Sequence, residues 1–201
     1  MNQALHPDRS KGGTRHARRA WKVAALVAFG SSAFFLSSPA TVKAQSPNNC
    51  LECHSKLDAP LGVARQEFAG SAHGQKGITC TSCHGGDSSS DDMEISMGKA
   101  AGFKGRIERS QIPALCAKCH SDAAYMRGYN PSLRTDQFSQ YQTSVHGKLL
   151  AKGDTRVAVC SDCHTAHNVH PRNDSQSSVY PLNVAKTCAN CHANADHMKG
   201  Y

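Results

Sequence analysis

The fold of this chain is decided by the stretch Cys160-Ser-Asp-Cys163-His164-Thr-Ala-His167-Asn-Val-His170. It begins with Cys-x-x-Cys-His, the pattern at which a c-type haem is attached covalently. Two thiols about one helical turn apart can each add to a vinyl group of the same porphyrin, and the histidine that follows reaches the iron from the proximal face. His167 and His170 indicate that the stretch also supplies an iron ligand on the far side of some haem.

The same pattern occurs five times and uses all ten cysteines of the chain. Motifs 1 to 5, in chain order, are Cys50-Leu-Glu-Cys53-His54, Cys80-Thr-Ser-Cys83-His84, Cys116-Ala-Lys-Cys119-His120, Cys160-Ser-Asp-Cys163-His164 and Cys188-Ala-Asn-Cys191-His192. A disulfide framework gives no reason for a histidine after every second cysteine. Zinc sites would use the cysteine pairs two at a time and leave one pair without a mate. We therefore predict five covalent haems, numbered like their motifs, with the motif histidines as proximal ligands.

Five histidines remain once the motifs and the N-terminal segment are set aside. They are His73, His146, His167, His170 and His197. Five haems and five spare histidines would allow every iron to be closed by two imidazoles. Iron without an open coordination position suits electron transfer. We therefore predict these five residues as the distal ligands.

Local sequence supports three of these histidines directly. His73 and His146 each lie in a Ser-x-His-Gly tetrapeptide ahead of a motif, a recurrence that a surface histidine does not explain. We expect the glycine of the tetrapeptide to let a porphyrin approach the backbone closely. His167 follows the motif histidine His164 by three residues and points to a similar side of a helix. It is therefore predicted to bind a neighbouring haem.

His170 and His197 leave an alternative open. His170 precedes Pro171 and is equally compatible with an exposed loop, and His197 lies near the end of the sequence. An iron that lacked one of these ligands would be open to a small molecule. A methionine ligand in place of a histidine would raise the potential of that haem.

Charge is concentrated near the N-terminus and not on the predicted haem region. The formal net charge is +8, but residues 1–44 carry seven basic groups against one acid, which leaves 16 basic and 14 acidic residues afterwards. A nucleic-acid-binding domain carries its positive charge on its folded part, so we expect no nucleic-acid partner. The remaining chain is poor in core-forming side chains, and large apolar cofactors would compensate for that.

Residues 1–44 have the features of a secretory signal. A basic region ends at Lys22, an apolar stretch occupies residues 23–36, and small residues lie at a cleavage point after Ala44. Cleavage there predicts an exported, periplasmic protein. The apolar stretch is shorter than the ~20 residues that span a bilayer. An uncleaved inner-membrane anchor is the alternative.

We predict a mostly α fold with extensive irregular loop, in which short helices wrap around a closely packed chain of five haems. The predicted organisation is a two-haem unit at 45–92, a linker at 93–112 and a three-haem unit at 113–201, together one continuous haem-packed domain. Helical segments are predicted over 62–72, 113–128 and 132–153. The chain between motifs is too short to isolate the porphyrins, so electrons would hop between neighbouring haems.

Over roughly residues 48–195 the chain resembles the small pentahaem periplasmic cytochromes that feed electrons to cytochrome c nitrite reductase. It is also similar to the halves of decahaem outer-membrane electron conduits. The matching pieces are Cys50-Leu-Glu-Cys-His, Ile78-Thr-Cys-Thr-Ser-Cys-His-Gly, Val145-His, Val159-Cys-Ser-Asp-Cys-His-Thr-Ala-His167 and Cys188-Ala-Asn-Cys-His. The resemblance implies bis-histidine haems, a fold of loops and short helices around a haem chain, and other redox proteins as partners.

The leading interpretation is an electron carrier. Its donor would be a quinol dehydrogenase or another cytochrome, and its acceptor a terminal reductase or an outer-membrane conduit. Three other functions remain open. They are a haem enzyme that reduces a small nitrogen or sulfur species at one open haem, a membrane-anchored quinol-oxidising subunit, and a filament-forming cytochrome.

Overall fold

The computed structural model describes residues 48–201, so the predicted signal segment lies outside the described residues. Within residues 48–201 the regular structure is helical, without strands, and most helices are one or two turns long. The α-helices are α1 (Asn49–His54), α2 (Arg65–Gly70), α3 (Ala72–Gln75), α4 (Cys80–His84), α5 (Met93–Ser96), α6 (Ile112–His120), α7 (Ala123–Arg127), α8 (Gln137–Thr143), α9 (Val145–Ala151), α10 (Cys160–His164), α11 (Val184–His192) and α12 (Ala195–Met198). Two 3₁₀ helices cover Lys99–Ala101 and Arg109–Gln111. The predicted mostly α fold with extensive loop is confirmed.

Each motif forms the end of a helix. The motif histidine is the last helical residue of α1, α4, α6, α10 and α11. A helical turn brings the two cysteines of a motif to one side of the chain. Because the helix ends there, the histidine ring is free to turn towards the same space. The five helices therefore present the groups that the motif chemistry requires.

The longer helices predicted from the sequence are divided by capping side chains. Ser71 separates α2 from α3 and Ser144 separates α8 from α9, and each serine side chain accepts a backbone N–H of the following helix. Asp122 likewise caps α7 after α6 has ended. Short polar side chains compete with the helix for backbone hydrogen bonds, so they end one helix and begin the next. Each of the single helices predicted over 62–72, 113–128 and 132–153 is therefore divided into two shorter helices.

Few apolar side chains are buried in the described residues. The buried hydrophobic residues are Leu51, Met126, Val157 and Val159, and Val159 is the least exposed at 1%. This agrees with the composition, which predicted too few core-forming residues for a conventional core. Hydrogen bonds between distant segments, such as that from the Ala72 N–H to the carbonyl of Val169 at 2.7 Å, also connect the short helices.

The segment at 93–112 packs against the rest of the chain. Lys104 donates its backbone N–H to the carbonyl of His84 at 2.9 Å and its Nζ to the carbonyl of Cys83 at 3.0 Å. Further along, the side chain of Arg109 reaches the loop before motif 4. The segment thus contacts motifs 2 and 4, while the predicted division into a two-haem and a three-haem unit stays a prediction.

Among residues 48–201, no helix has the length and apolar character needed to cross a membrane.

Candidate haem-binding site

Three pairs of histidines from distant parts of the chain face each other. The ring centroids of His73 and His120 are 6.1 Å apart, and those of His84 and His167 are 6.2 Å apart. The ring centroids of His146 and His192 are 6.1 Å apart. Each pair combines one motif histidine with one of the spare histidines singled out in the sequence.

The spacing of these pairs is the spacing expected for two axial ligands of one metal ion. A metal–imidazole nitrogen bond is about 2 Å long, so two rings on opposite sides of one metal have centroids about 6 Å apart. Direct van der Waals stacking of the two rings would bring them closer. The planes of the paired rings are inclined by 36° to 60°, so the rings are not stacked on each other.

Each spare histidine in these pairs faces the histidine of a motif other than the one nearest to it in the sequence. His73 precedes motif 2 but faces the histidine of motif 3, and His146 precedes motif 4 but faces the histidine of motif 5. His167, which follows motif 4, faces His84 of motif 2. The sequence had left open which spare histidine belongs with which motif, and these contacts interlock segments that are far apart in the chain.

The Ser-x-His-Gly tetrapeptide is a compact helix start that sets the direction of the histidine. Ser71 Oγ accepts the N–H of Gly74 at 3.0 Å and donates to the carbonyl of Phe68 at 2.7 Å. Ser144 makes the equivalent bonds, accepting from Gly147 at 3.1 Å and donating to Tyr141. The serine is thus the N-cap of the short helix that carries the distal histidine.

The glycine of the tetrapeptide lies very close to the backbone of the preceding helix. A Cβ on Gly74 would lie 2.2 Å from the carbonyl oxygen of Phe68, and one on Gly147 would lie 2.1 Å from that of Tyr141. Both distances are far below a van der Waals contact. The glycine therefore allows the helix to fold back on the preceding turn of its own chain. The expectation that it also makes room for a porphyrin stays a prediction.

Several histidines have one ring nitrogen held by a hydrogen bond. Nδ1 of His54 lies 2.9 Å from the carbonyl oxygen of Leu61, and Nδ1 of His84 lies 3.0 Å from that of Gly105. A carbonyl oxygen can only accept, so the imidazole donates through Nδ1–H and its Nε2 lone pair is left free. This arrangement orients metal-binding histidines in proteins.

Burial favours the neutral form of four of these imidazoles. It lowers the pKa of His73, His120, His164 and His167 below the ordinary histidine value. Secondary lowering of the pKa comes from His120 for His73 and from His84 for His167. Metal binding needs a neutral imidazole. The environment of these rings therefore favours the state that binds iron.

The cysteines of motifs 1 to 3 approach one another in chain order. Burial, and then the neighbouring Cys80 thiol, raise the pKa of Cys50. Burial, and then Cys119, raise the pKa of Cys83. Motif 1 therefore lies beside motif 2, and motif 2 beside motif 3.

The same order continues through motifs 3 to 5. Helices α6 and α10 pack against each other, and the neighbouring thiols raise the pKa of Cys116 and lower that of Cys160 to about 7. Burial and Asp162 raise the pKa of Cys163, and Cys188 of motif 5 raises it further. The five attachment points thus follow one another in space as they do in the sequence, an order that the motif spacing alone did not predict.

His170 lies beside helix α2. With Gln66, Glu67 and Gly70 of α2 it lines a cavity of about 350 Å³. Its Nδ1 lies 3.1 Å from a carboxylate oxygen of Asp174. A carboxylate partner orients a ligating imidazole. Sequence reasoning did not identify Asp174, because a residue four positions along a loop gives no periodic signal.

His197 lies beside the loop that leads into motif 4. Its ring stacks on Tyr201 with centroids 6.5 Å apart, and the Tyr201 hydroxyl donates to Asp154 at 2.6 Å. Arg156 lies over the ring of Tyr201, with its guanidinium carbon 4.7 Å from the centroid. These contacts hold the segment that carries His197 against residues 154–156.

A family model described as cytochrome c3 matches residues 72–193, well over half of the chain. The chain belongs to the cytochrome c3 family. It is a multihaem c-type cytochrome, a class of electron-transfer proteins. A second family model, cytochrome c554 and c-prime, matches residues 14–85 of this cytochrome. Family membership and the geometry agree, since the Cys-x-x-Cys-His helices and the paired imidazoles fit covalently attached haem.

Two curated relatives are similar over much of this cytochrome. The C-type polyheme cytochrome OmcC of Geobacter sulfurreducens is 26% identical over 176 residues, which cover 78% of this chain and 21% of that protein. The cytochrome c-type protein NrfB of Haemophilus influenzae is 25% identical over 124 residues, which cover 62% of this chain and 48% of that protein. The chain therefore spans about a fifth and about half of the length of these relatives. No solved structure matches it.

Proposed function

We propose that this cytochrome is an exported, periplasmic pentahaem electron carrier in which two histidines close every iron. The observation that carries the proposal is the set of three histidine pairs with centroids 6.1 to 6.2 Å apart. In each pair the Cys-x-x-Cys-His motif supplies one ring and a distant segment the other. A reactive haem would need a free coordination position that these pairs do not leave.

The three pairs support the ligation of three irons. Haem 2 would take His84 and His167, haem 3 would take His120 and His73, and haem 5 would take His192 and His146. Each distal histidine comes from a segment attached to another motif. Ligation would therefore fasten segments of different motifs to one another as well as close the irons.

His170 is the proposed distal ligand of haem 1. It lines a cavity with α2, and α2 is fastened to the helix of motif 1 through Arg65. Arg65 forms an ion pair with Glu52 at 2.9 Å and donates to the carbonyl of Leu51 at 3.4 Å. These contacts support a position of His170 on the motif 1 side, with Nδ1 held by Asp174 and Nε2 free for the iron.

His197 is the proposed distal ligand of haem 4. The loop at 154–156, which holds the segment of His197 through Tyr201, runs directly into motif 4. Arg156 also reaches the carbonyl of Lys199 at 3.4 Å. With His170 assigned to haem 1, the remaining proximal ligand His164 is paired with the remaining distal ligand.

The iron centres supply one-electron chemistry, and the chain supplies their order and their closure. Cysteine contacts between successive motifs support a path in chain order, from motif 1 at one end to motif 5 at the other. Partners would therefore dock at the two ends of the array. In the function that we propose, these are a quinol dehydrogenase or cytochrome donor and a terminal reductase or outer-membrane conduit as acceptor.

Carbon monoxide tests whether every iron is closed. It binds ferrous haem only at an open or weakly held position, so the reduced protein should keep its absorption spectrum under carbon monoxide. His167→Ala, which removes the proposed sixth ligand of haem 2, is the positive control and should bind carbon monoxide at one haem in five. A spectral change at one-fifth of the haem in the unmodified protein would instead favour a haem enzyme.

Haem content and export are tested separately. A pyridine haemochrome assay should give five haems per chain, and a lower number would refute the count. N-terminal sequencing of protein from the periplasmic fraction should find Gln45 first. Recovery of the chain in the membrane with its N-terminal segment attached would favour the anchored quinol-oxidising subunit.

A further inference from the structure

We infer that Arg109 and Asp162 form a clamp that positions motif 4 against motif 3 and sets the potential of haem 4. The inference rests on the proposed function in one respect, namely that motifs 3 and 4 each hold a haem. It concerns residues outside the cysteines and histidines. Arg109 is a positioning residue, since it acts through the motif and not on the iron.

The Arg109 guanidinium makes four hydrogen bonds to residues 46 to 53 positions further along the chain. Nη1 and Nη2 donate to the two carboxylate oxygens of Asp162 at 3.1 and 2.7 Å, in a bidentate arrangement. Nε donates to the carbonyl of Thr155 at 2.8 Å, and Nη2 also donates to that of Val157 at 2.9 Å. Only a guanidinium can satisfy this set of acceptors, because its donors have a fixed planar geometry.

Asp162 is one of the two residues between the cysteines of motif 4. Its carboxylate also accepts the backbone N–H of Val159 at 2.7 Å, which caps the start of α10. The two carboxylate oxygens thus accept from the Arg109 guanidinium and from this backbone N–H, and they hold the start of the motif 4 helix in place.

Arg109 belongs to the helix system of motif 3. It begins the 3₁₀ helix Arg109–Gln111, which leads without interruption into α6 and its motif. The ion pair thus ties the start of the motif 3 helix to the start of the motif 4 helix. The helices that carry motifs 3 and 4, α6 and α10, also pack directly against each other. The ion pair and this packing together fix the two attachment helices relative to each other.

Two of the most deeply buried residues lie beneath this clamp. Val157 is 4% exposed and Val159 is 1% exposed, and Ala158 between them accepts a hydrogen bond from the hydroxyl of Tyr141 at 3.0 Å. The loop before motif 4 is therefore among the best-fixed parts of the described chain. The Arg109 and Asp162 side chains are 38% and 31% exposed, so the charges remain partly screened by solvent.

The pair places two opposite charges beside the attachment point of haem 4. Reduction makes a haem more negative by one charge, so an unpaired carboxylate nearby would disfavour it and an unpaired guanidinium would favour it. Arg109→Gln should therefore lower the potential of one haem. Asp162→Asn should raise it, and the double variant should return it towards the unmodified value.

Redox titration followed by NMR of the individual haem signals tests this inference on the intact, haem-loaded protein. The expected result is a shift of one haem in five, with opposite signs in the two single variants. Arg134→Gln is the matched control, because Arg134 forms a similar carboxylate pair with Asp136 two residues away and joins no two motifs. It should leave all five potentials unchanged.

The inference would be overturned if both single variants shifted the potential in the same direction, or if neither differed from Arg134→Gln. Arg109→Lys keeps the positive charge but cannot form the bidentate pair of hydrogen bonds. It should therefore leave the potential of haem 4 unchanged and lower the melting temperature of the protein. Should Arg109→Gln fail to mature, Asp162→Asn and Arg109→Lys still decide between these outcomes. Five haems and a low-spin spectrum in every variant would show that the proposed function stands even if the potentials do not move.

Discussion

Gly74→Ala should detach the distal ligand from one haem although it changes no ligand residue. Gly74 follows His73 in the helix that Ser71 caps, and a Cβ there would lie 2.2 Å from the carbonyl oxygen of Phe68. Real Cβ atoms do not approach other heavy atoms closer than 3.0 Å. The helix would therefore have to move by about 1 Å.

A movement of this size is about half the length of the bond that it affects. A metal–imidazole nitrogen bond is about 2 Å long, and a stretch of about 1 Å breaks it. Overpacking of this kind also costs about 1–3 kcal/mol of stability. We expect one haem in five, the haem of motif 3, to become high-spin, with all five haems still attached through their cysteines.

The assay is the electronic absorption and EPR spectrum of the oxidised protein, calibrated by the haem content. Gly147→Ala should give the same result at the haem of motif 5, since its Cβ would lie 2.1 Å from the carbonyl oxygen of Tyr141. Gly128→Ala is the matched control, because its Cβ would make an ordinary contact of 3.4 Å. If Gly74→Ala stays entirely low-spin, the proposed role of the tetrapeptide is wrong.

Two further predictions concern stability. Thr165, directly after motif 4, has φ 64° and ψ 178°, a conformation that essentially only glycine adopts. The equivalent residue after motif 2 is a glycine, Gly85, with φ 66°. Thr165→Gly should therefore raise the free energy of unfolding by about 1 kcal/mol once the entropy of glycine is subtracted, as measured by chemical denaturation, and a loss of stability would contradict the assigned strain. The hydrogen bond from the Tyr201 hydroxyl, and to a lesser extent Arg156, lowers the pKa of Asp154. The ionised Asp154 carboxylate therefore stabilises the folded state fully above its unfolded pKa of about 3.9, and this stabilisation is lost as the pH falls through the lowered pKa. Tyr201→Phe should thus be less stable than the unmodified protein at neutral pH but equal to it in strong acid, and a difference that persists below pH ~2 would argue against the ionised carboxylate as its source.

The local chemistry of the site could be predicted from the sequence because each motif is contiguous. Covalent attachment needs only two cysteines and a histidine on one helical turn, so spacing is sufficient to identify it. The recurrence of Ser-x-His-Gly likewise singled out His73 and His146, although the backbone contact of the glycine was not foreseen. Its close contact is with a backbone carbonyl six residues earlier, which no pattern of side chains reveals.

The pairing of histidines could not be predicted in the same way. His73 is seven residues from motif 2 and 43 from motif 3, yet it faces His120 of motif 3. Proximity in the chain therefore gave no guidance about the partner. The Arg109–Asp162 pair was missed for a similar reason, since arginine in a glycine-rich, basic segment is typical of an exposed connection.

The sequence by itself determined the class of cofactor, because the attachment of haem c is encoded in contiguous Cys-x-x-Cys-His motifs. Only the tertiary structure decided which histidine faces which motif, in what order the motifs follow one another, and how motif 4 is held against motif 3. These features depend on loops that bring distant residues within hydrogen-bonding distance. Loop paths follow from many weak contacts acting together, and no single stretch of the chain contains them.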